Sequence, residues 1–146
     1  MTLYTYADPA IEVILRKASQ SAGFNRWTGF ALVAAGNGQV CLELAVREEM
    51  TQHHGFVHGG IIGAMADTAC SWAAATVAGD VVTASYTIQF HAPASDALIR
   101  VRAAVIRQGR RNVSVESRVF AVDPADAERH VATALAMITP VGAPNC

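Results

Sequence analysis

The first hydrophobic pattern along the chain has the spacing of an amphipathic helix. Over residues 9–21, one apolar stripe is formed by Ile11, Ile14, Leu15 and Ala18. Asp8 is a suitable N-cap, Pro9 fits the first helical position, and Gly23 is expected to end the helix. The pattern predicts a short helix near the start of the chain.

The spacing then changes to that of β-strands. An apolar run over Phe30–Ala35 is followed by the turn sequence Gly36-Asn37-Gly38 and by an alternating segment over Val40–Val46. Two strand-like runs on either side of a glycine–asparagine turn predict a β-hairpin. A polar loop over Arg47–Val57 follows it.

The segment Gly59–Gly79 is apolar on nearly every side, which predicts a long buried helix. Strand-like segments follow it at Val81–His91, Leu98–Arg107, Val113–Ala121 and His130–Thr139. In the first of these, strict alternation would place the following residues on one face of the sheet: Val82, Ala84, Tyr86, Ile88 and Phe90.

This order of elements predicts an α+β protein in which an antiparallel sheet wraps around one long central helix. We expect a single domain over residues 1–146, with an N-terminal helical segment at 1–27 and a tail at 140–146. Because such a helix is apolar all round, the sheet and a second subunit together would have to cover it.

Composition points to self-association. Hydrophobic residues make up 52% of the chain and charged residues only 16%, whereas about a quarter is usual for charged residues. The surplus apolar surface suggests a homodimer or a homotetramer. With a net charge of −1, nothing in the overall charge indicates nucleic-acid binding.

The cysteines and the apolar segment bear on location and cofactors. Cys41, Cys70 and Cys146 are an odd number without metal-ligand spacing, so we expect reduced thiols, a cytoplasmic protein and no metal or other cofactor. The start of the chain lacks the pattern of a signal peptide. Gly59–Gly79 contains Asp67 and has no flanking basic anchors, so no membrane association is expected.

The candidate chemistry lies at the start of the central helix. Backbone N–H groups in a first helical turn have no partners within the helix, and the helix dipole adds partial positive charge there. Gly59 and Gly60 would leave such a group open to a carbonyl oxygen and to the oxyanion formed from it. Asp67 is the nearby carboxylate, but it lies eight residues further on, about 12 Å along the axis. The two could meet only if a second copy packed against the first.

Other polar residues of the segment are weaker candidates. His58 directly precedes the two glycines, which favours a functional role over a purely structural one. No metal-ligand spacing links His53, His54, His91 and His130, so solvated or structural roles are expected for them. Cys70 is close to Asp67 but has no evident histidine partner, which favours packing over nucleophilic catalysis.

The sequence Gly55-Phe56-Val57-His58-Gly59-Gly60, with Asp67 nine positions after His58, resembles that of the hotdog-fold acyl-CoA thioesterases, in particular the PaaI-like (phenylacetate-degradation) branch. The similarity extends over about 28–139. It includes the strand after the central helix, which ends before Pro93, and a basic hairpin turn at Gly109-Arg110-Arg111.

The resemblance implies the hotdog fold and hydrolysis of an acyl-CoA thioester. It implies that Gly59 supplies the oxyanion N–H, that Gly60 allows close approach, and that His58 holds the loop or the thioester region. Asp67 of the partner subunit would act as general base or as nucleophile.

Two positions need comment within this resemblance. Thr83 falls where relatives often have a serine that orients water. Gln52 stands where relatives commonly have an asparagine that polarises the carbonyl or positions water; glutamine keeps the amide and adds one methylene. Arg110 and Arg111 are the candidates for the coenzyme A phosphates, since arginine presents a fork of donors. The alternative is that they only form a solvated hairpin tip.

Three functions stay open at this point. The first is a thioesterase, whose acyl group could be aromatic, medium-chain or branched. The second is a non-catalytic acyl-CoA-binding protein with the same fold, to which Gln52 gives some weight. The third is a dehydratase or hydratase acting on 3-hydroxyacyl or enoyl chains, although such sites pair a histidine with the acid in a different local motif.

Overall fold

The computed structural model describes residues 4–142. Three helices and six strands occur in this part of the chain. The helices are α1 (Pro9–Ser21), α2 (Gly23–Thr28) and α3 (Gly59–Ala78), and a short 3-10 turn lies at Glu48–Met50. The strands are β1 (Ala31–Gly36), β2 (Gln39–Ala45), β3 (Val81–Phe90), β4 (Leu98–Gln108), β5 (Val113–Val122) and β6 (Glu128–Pro140).

The six strands form one antiparallel sheet in the order β1-β2-β4-β5-β6-β3. Helix α3 contacts every strand of this sheet, and its buried residues join those of the strands in one hydrophobic core. By length and hydropathy α3 could cross a membrane, but here it packs in the curve of the sheet. The predicted α+β architecture around one central helix is confirmed.

The helix at the N-terminal end was predicted correctly in its bounds but not in its buried face. Asp8 caps α1 by accepting hydrogen bonds from the N–H groups of Ala10 and Ile11. Leu15 is buried against the core, whereas the side chain of Ile14 is 67% exposed. Gly23 was expected only to end this helix; it also begins α2 after a one-residue break at Ala22, because Ala22 has an extended conformation that redirects the chain.

The predicted alternation along β3 is wrong at its start. The register of β3 against β6 shifts between Thr83 and Ser85, which makes Ala84 an extra, bulged residue. Thr83 therefore lies opposite the buried Ile138, and Tyr86 lies opposite the buried Ala136. Directly paired residues share a face, so the face toward α3 carries Thr83, Tyr86, Ile88 and Phe90 and excludes Val82.

The two edges of the sheet differ. At β1, the N–H of Ala35 donates a hydrogen bond to the Glu12 carboxylate (3.2 Å), and the Arg16 guanidinium donates one to the carbonyl of Leu32 (3.0 Å). Helix α1 thus covers that edge. At the other edge, among residues 4–142, β3 pairs only with β6, so one side of its backbone is open.

Candidate active site

The first turn of α3 leaves one N–H group free. His58 is the N-cap, and its Nδ1 accepts a hydrogen bond from the N–H of Gly60 at 2.8 Å. The N–H groups of Ile61 and Ile62 donate to the carbonyl of His58. Within the described part of the chain, the N–H of Gly59 has no acceptor. It is therefore the group in this turn that can bind an external oxygen.

Neighbouring side chains account for the two glycines. A Cβ atom at Gly59 would lie 3.3 Å from Cζ of Phe90, and one at Gly60 would lie 3.0 Å from Nδ1 of His58. A side chain at Gly59 would crowd the Phe90 ring, and one at Gly60 would crowd the imidazole that caps the helix. Because Nδ1 accepts this hydrogen bond, the imidazole is the Nε2–H tautomer.

The carboxylate of Asp67 is held by a chain of hydroxyl groups. Thr83 Oγ1 donates a hydrogen bond to Asp67 Oδ1 at 2.6 Å, and it lies 2.9 Å from Oγ of Ser71. Since the single proton of Thr83 goes to Asp67, Ser71 is the donor in the second bond. The bulge at Ala84 makes this possible, because it turns Thr83 toward α3; re-aiming a side chain is a common role of bulges beside functional sites.

The residues of the site form one stripe along α3. Gly59, Gly63, Asp67 and Ser71 follow one another at intervals of four residues, so they lie on the same side of the helix. This side faces β3, since Phe90 contacts Gly59, Tyr86 contacts Gly63, and Thr83 bonds Asp67. The continuous helix keeps Gly59 and Asp67 about 12 Å apart along the axis, as expected from the sequence.

Gln52 lies near the start of the same helix. Its Oε1 accepts a hydrogen bond from the N–H of His54, and its backbone pairs with Phe56 across the loop. Together with Gly59 it borders an open cavity of about 400 Å³ whose other walls are mostly apolar, namely Phe56, Val57, Ile62, Phe90, His91, Ala92, Pro93 and Ala94. The side-chain carbonyl of Gln52 is thus engaged within its own loop.

The two arginines of the basic turn lie at the opposite end of the sheet from Gly59. Arg110 and Arg111 border a cavity of about 460 Å³ at the β4–β5 turn, which Arg107, Asn112 and Ser114 also line. Sequence reasoning missed Arg107. Its position shortly before the turn could have indicated it, because antiparallel pairing brings the two ends of a hairpin together.

The remaining titratable residues were only partly foreseen. Burial raises the pKa of the Cys70 thiol to about 11, so this cysteine stays protonated and its packing role agrees with the sequence analysis. Cys41 is likewise buried and forms no disulfide with the described residues. Cys146 lies outside the described residues. The sheet unexpectedly joins His91 and His130, whose Nε2 atoms lie 2.8 Å and 2.9 Å from the hydroxyl of Thr133. The two are distant in sequence, so spacing alone could not pair them.

The structure thus brings the sequence-predicted residues together in three groups. His58, Gly59, Gly60 and Gln52 lie at the start of α3. Asp67 and Thr83 lie two helical turns further on. Arg110 and Arg111 lie at the β4–β5 turn. Within one chain these groups do not form a single site, so their catalytic and binding roles stay predictions.

Comparison with known proteins identifies the family. The sequence pattern of the thioesterase superfamily matches residues 54–128, which include Gly59, Asp67 and Thr83. A protein of Saccharolobus solfataricus, whose esterase assignment is provisional, is 33% identical over 109 residues. That alignment covers 73% of this chain and 76% of the archaeal protein.

Solved structures show the same fold. A thioesterase family protein from Silicibacter pomeroyi has a TM-score of 0.83 at 26% identity, covering 88% of this chain and 96% of that one. The PaaI protein of the E. coli phenylacetic acid degradation operon has a TM-score of 0.78 at 20% identity, covering 88% and 91%.

A Streptococcus mutans protein solved with bound acetyl-CoA has a TM-score of 0.68 at 22% identity, covering 77% of this chain and 89% of that one. The family match and the archaeal relative both support a hydrolase. With its antiparallel sheet around one helix, this chain has the hotdog fold and belongs to the thioesterase superfamily.

Proposed function

We propose that the protein hydrolyses acyl-CoA thioesters in active sites shared between two copies of the chain. The observation that carries the proposal is the free N–H of Gly59 on the same helix as the hydroxyl-bound carboxylate of Asp67. One is a donor for an oxyanion and the other is a base or nucleophile. About 12 Å of helix separates them, so each needs its complement from another chain.

The chemistry follows from these groups. In the general-base route, Asp67 takes a proton from water, whose oxygen attacks the thioester carbon. The resulting oxyanion accepts a hydrogen bond from the partner's Gly59 N–H. As the C–S bond breaks, the thiolate takes the proton from Asp67, which releases the acid and coenzyme A. In the alternative route the carboxylate of Asp67 attacks the thioester carbon first, and the C–S bond breaks to release the coenzyme A thiolate. Water then hydrolyses the mixed anhydride, which releases the acid, restores the Asp67 carboxylate and leaves one proton for the thiolate.

The open edge of β3 supports a dimer with a defined register. Thr83 marks the level of Asp67 and Phe90 marks the level of Gly59. If two β3 strands pair antiparallel across a two-fold axis, Asp67 meets the partner's Gly59 when Thr83 lies opposite the partner's Phe90. Because Ala84 is an extra residue, Thr87 then lies opposite the partner's Thr87, on the axis. The same pairing would satisfy the open side of the β3 backbone.

Coenzyme A is the thiol carrier that the basic cavity supports best. Arg107, Arg110 and Arg111 all border the cavity at the β4–β5 turn, and arginine forks match phosphate oxygens. The related S. mutans protein, which contains acetyl-CoA, is consistent with this choice. In the proposed register, this end of the sheet adjoins the Asp67 half of the site, because Thr83 and the start of β5 lie at the same level of β6.

Release of free thiol from a panel of acyl-CoA esters tests the proposal. We expect Asp67→Asn to lower kcat at least a hundredfold, since it removes the proton acceptor. Asp80→Asn is the matched control, because it neutralises an exposed acid just after the same helix. The proposal is wrong if no ester releases thiol, or if Asp67→Asn is as fast as the unmodified protein. Tight binding of acyl-CoA without turnover would instead indicate a binding protein.

A further inference from the structure

Two aromatic side chains of β3 fill the space between that strand and α3. Phe90 ends against Gly59, and Tyr86 ends against Gly63, where its hydroxyl lies 3.2 Å from the position that a Cβ atom would take. Neither ring is part of the buried core: Tyr86 is 41% exposed and Phe90 is 52% exposed. Both therefore cross the groove between strand and helix instead of packing beneath it.

These rings limit the paths that a substrate can follow from Asp67. Toward the end of α3, the groove is occupied by the hydrogen-bonded hydroxyls of Ser71 and Thr83. Toward the start of α3, Tyr86 crosses the groove at Gly63, which is one helical turn, or about 6 Å, from Asp67. Beyond Tyr86 lies the cavity of about 400 Å³ that Gly59 and Phe90 border. Tyr86 thus separates Asp67 from the cavity of its own chain.

We propose that Tyr86 is the residue that limits acyl length: its ring closes the groove one turn beyond Asp67 and restricts the enzyme to short or compact acyl groups. This inference rests on the proposed thioesterase function. The small size of Gly63 is part of the arrangement, because it allows the phenol to reach the helix backbone. A long acyl chain could extend from Asp67 into the cavity of the same chain only if the ring were removed, which would join the groove to the cavity at Gly59.

The test is a series of straight-chain acyl-CoA esters from acetyl to hexadecanoyl, hydrolysed by the unmodified protein and by Tyr86→Ala and Tyr86→Val. We expect the preferred chain length to rise by several carbons in both variants. The ratio of kcat/KM for dodecanoyl- to butanoyl-CoA should rise about tenfold or more, since room for even one methylene changes discrimination by that amount. Two variants are used because valine suits a strand and preserves β3 if alanine does not.

Tyr86→Phe is the matched control. It keeps the ring, and the hydroxyl of Tyr86 forms no hydrogen bond with residues 4–142, so the chain-length profile should not change. Gly63→Ala should act in the opposite direction by pushing the phenol outward from the helix. An unchanged profile in Tyr86→Ala and Tyr86→Val would overturn the proposal, as would an equal fall in activity toward every chain length.

Binding separates this proposal from the proposed function. Titration calorimetry of the same esters on Asp67→Asn, with and without Tyr86→Val, measures length selection without turnover. If no ester is hydrolysed but Tyr86→Val extends the range of chains bound, the thioesterase function fails and the role of Tyr86 stands. If hydrolysis occurs but Tyr86→Val changes the chain-length dependence of neither binding nor turnover, the role of Tyr86 fails alone.

Discussion

The two edge strands of this sheet differ in whether their outer backbone groups have hydrogen-bond partners. At β1, an i,i+4 pair on α1 supplies both an acceptor and a donor to the strand: Glu12 binds the N–H of Ala35, and Arg16 binds the carbonyl of Leu32. At β3, no residue in the described part of the chain pairs with the outer side of the backbone. Natural sheets generally protect edges against unwanted pairing. In the proposed dimer, a second copy of the chain would pair with this open edge.

The difference extends to the side chains. None of the ion pairs formed within residues 4–142 involves β3, whereas a network of five charged side chains lies over β2, β4 and the start of β6: Glu43, Arg100, Arg102, Asp126 and Glu128. The outward-facing residues Ser85, Thr87 and Gln89 are uncharged. Uncharged side chains at an open edge leave it free to meet an identical strand, which charges of one sign would oppose.

The largest effect is expected from placing a charge on the open edge. In the proposed register Thr87 lies near the two-fold axis, so Thr87→Lys would bring two lysines together and oppose dimerisation. We expect a monomer by light scattering and at least a hundredfold loss of thioesterase activity, since each site would lose half of its groups. Ala31→Lys is the matched control on β1, where Ala31 is exposed and pairs with Glu43. A dimeric, active Thr87→Lys protein would contradict the β3 interface.

The covered edge can be opened instead. Glu12→Ala removes the acceptor of the Ala35 N–H and the partner of Arg16, which lies 3.2 Å away. We expect a loss of about 2 kcal/mol in the free energy of unfolding, typical of a hydrogen bond to a charged group, and faster aggregation on heating. Urea denaturation measures the first. Glu49→Ala, which removes only a surface ion pair with Arg47, should cause neither change; equal losses in both variants would show that α1 does not protect β1.

This contrast was only partly readable from the sequence. Hydrophobic periodicity located α3 and all six strands, because apolar residues recur at helix or strand spacing in each of these elements. It gave no sign of strand order in space, which depends on pairing between distant segments. The edge position of β3 and the cover of β1 by Glu12 therefore emerge only from the fold.

The proposed site, too, could be predicted only in part from the sequence. The motif around His58 and the spacing to Asp67 predicted both halves of the proposed site, and helix geometry showed that one chain could not join them. Strict alternation failed at β3 because the bulge at Ala84 adds one residue. Without that bulge the sequence places Thr83 on the face away from Asp67, and Tyr86 and Thr83 could not both face α3.

A smaller effect is expected from the hydroxyl chain that this bulge positions. Thr83→Val keeps the shape of the side chain but removes the donor to Asp67 Oδ1 and the acceptor of Ser71 Oγ–H. We expect kcat to fall about tenfold, equivalent to one hydrogen bond to a charged group, with KM little changed. Thr87→Val on the outward face of the same strand is the control. If both variants have the same kcat, the hydroxyl of Thr83 does not orient Asp67.

The smallest effect is expected at low pH, in the stability that the charged network over β2, β4 and the start of β6 contributes. Hydrogen bonds from Arg102, at 2.5 Å and 2.8 Å, and from Arg100, at 2.7 Å, lower the pKa of Glu128 from its usual 4.5 to about 2. A lowered folded-state pKa contributes stability above the unfolded value, and this contribution is lost as the pH falls from 4.5 toward 2. Because the network is partly open to solvent, we expect a loss of no more than about 1 kcal/mol in the free energy of unfolding.

Urea denaturation at a series of pH values should show this loss in the unmodified protein and a flatter pH dependence in Glu128→Gln. Glu48→Gln, which neutralises an exposed acid outside the network, should keep the original slope. If Glu128→Gln has the same pH dependence as the unmodified protein, the ion pairs of Glu128 with the two arginines do not stabilise the fold.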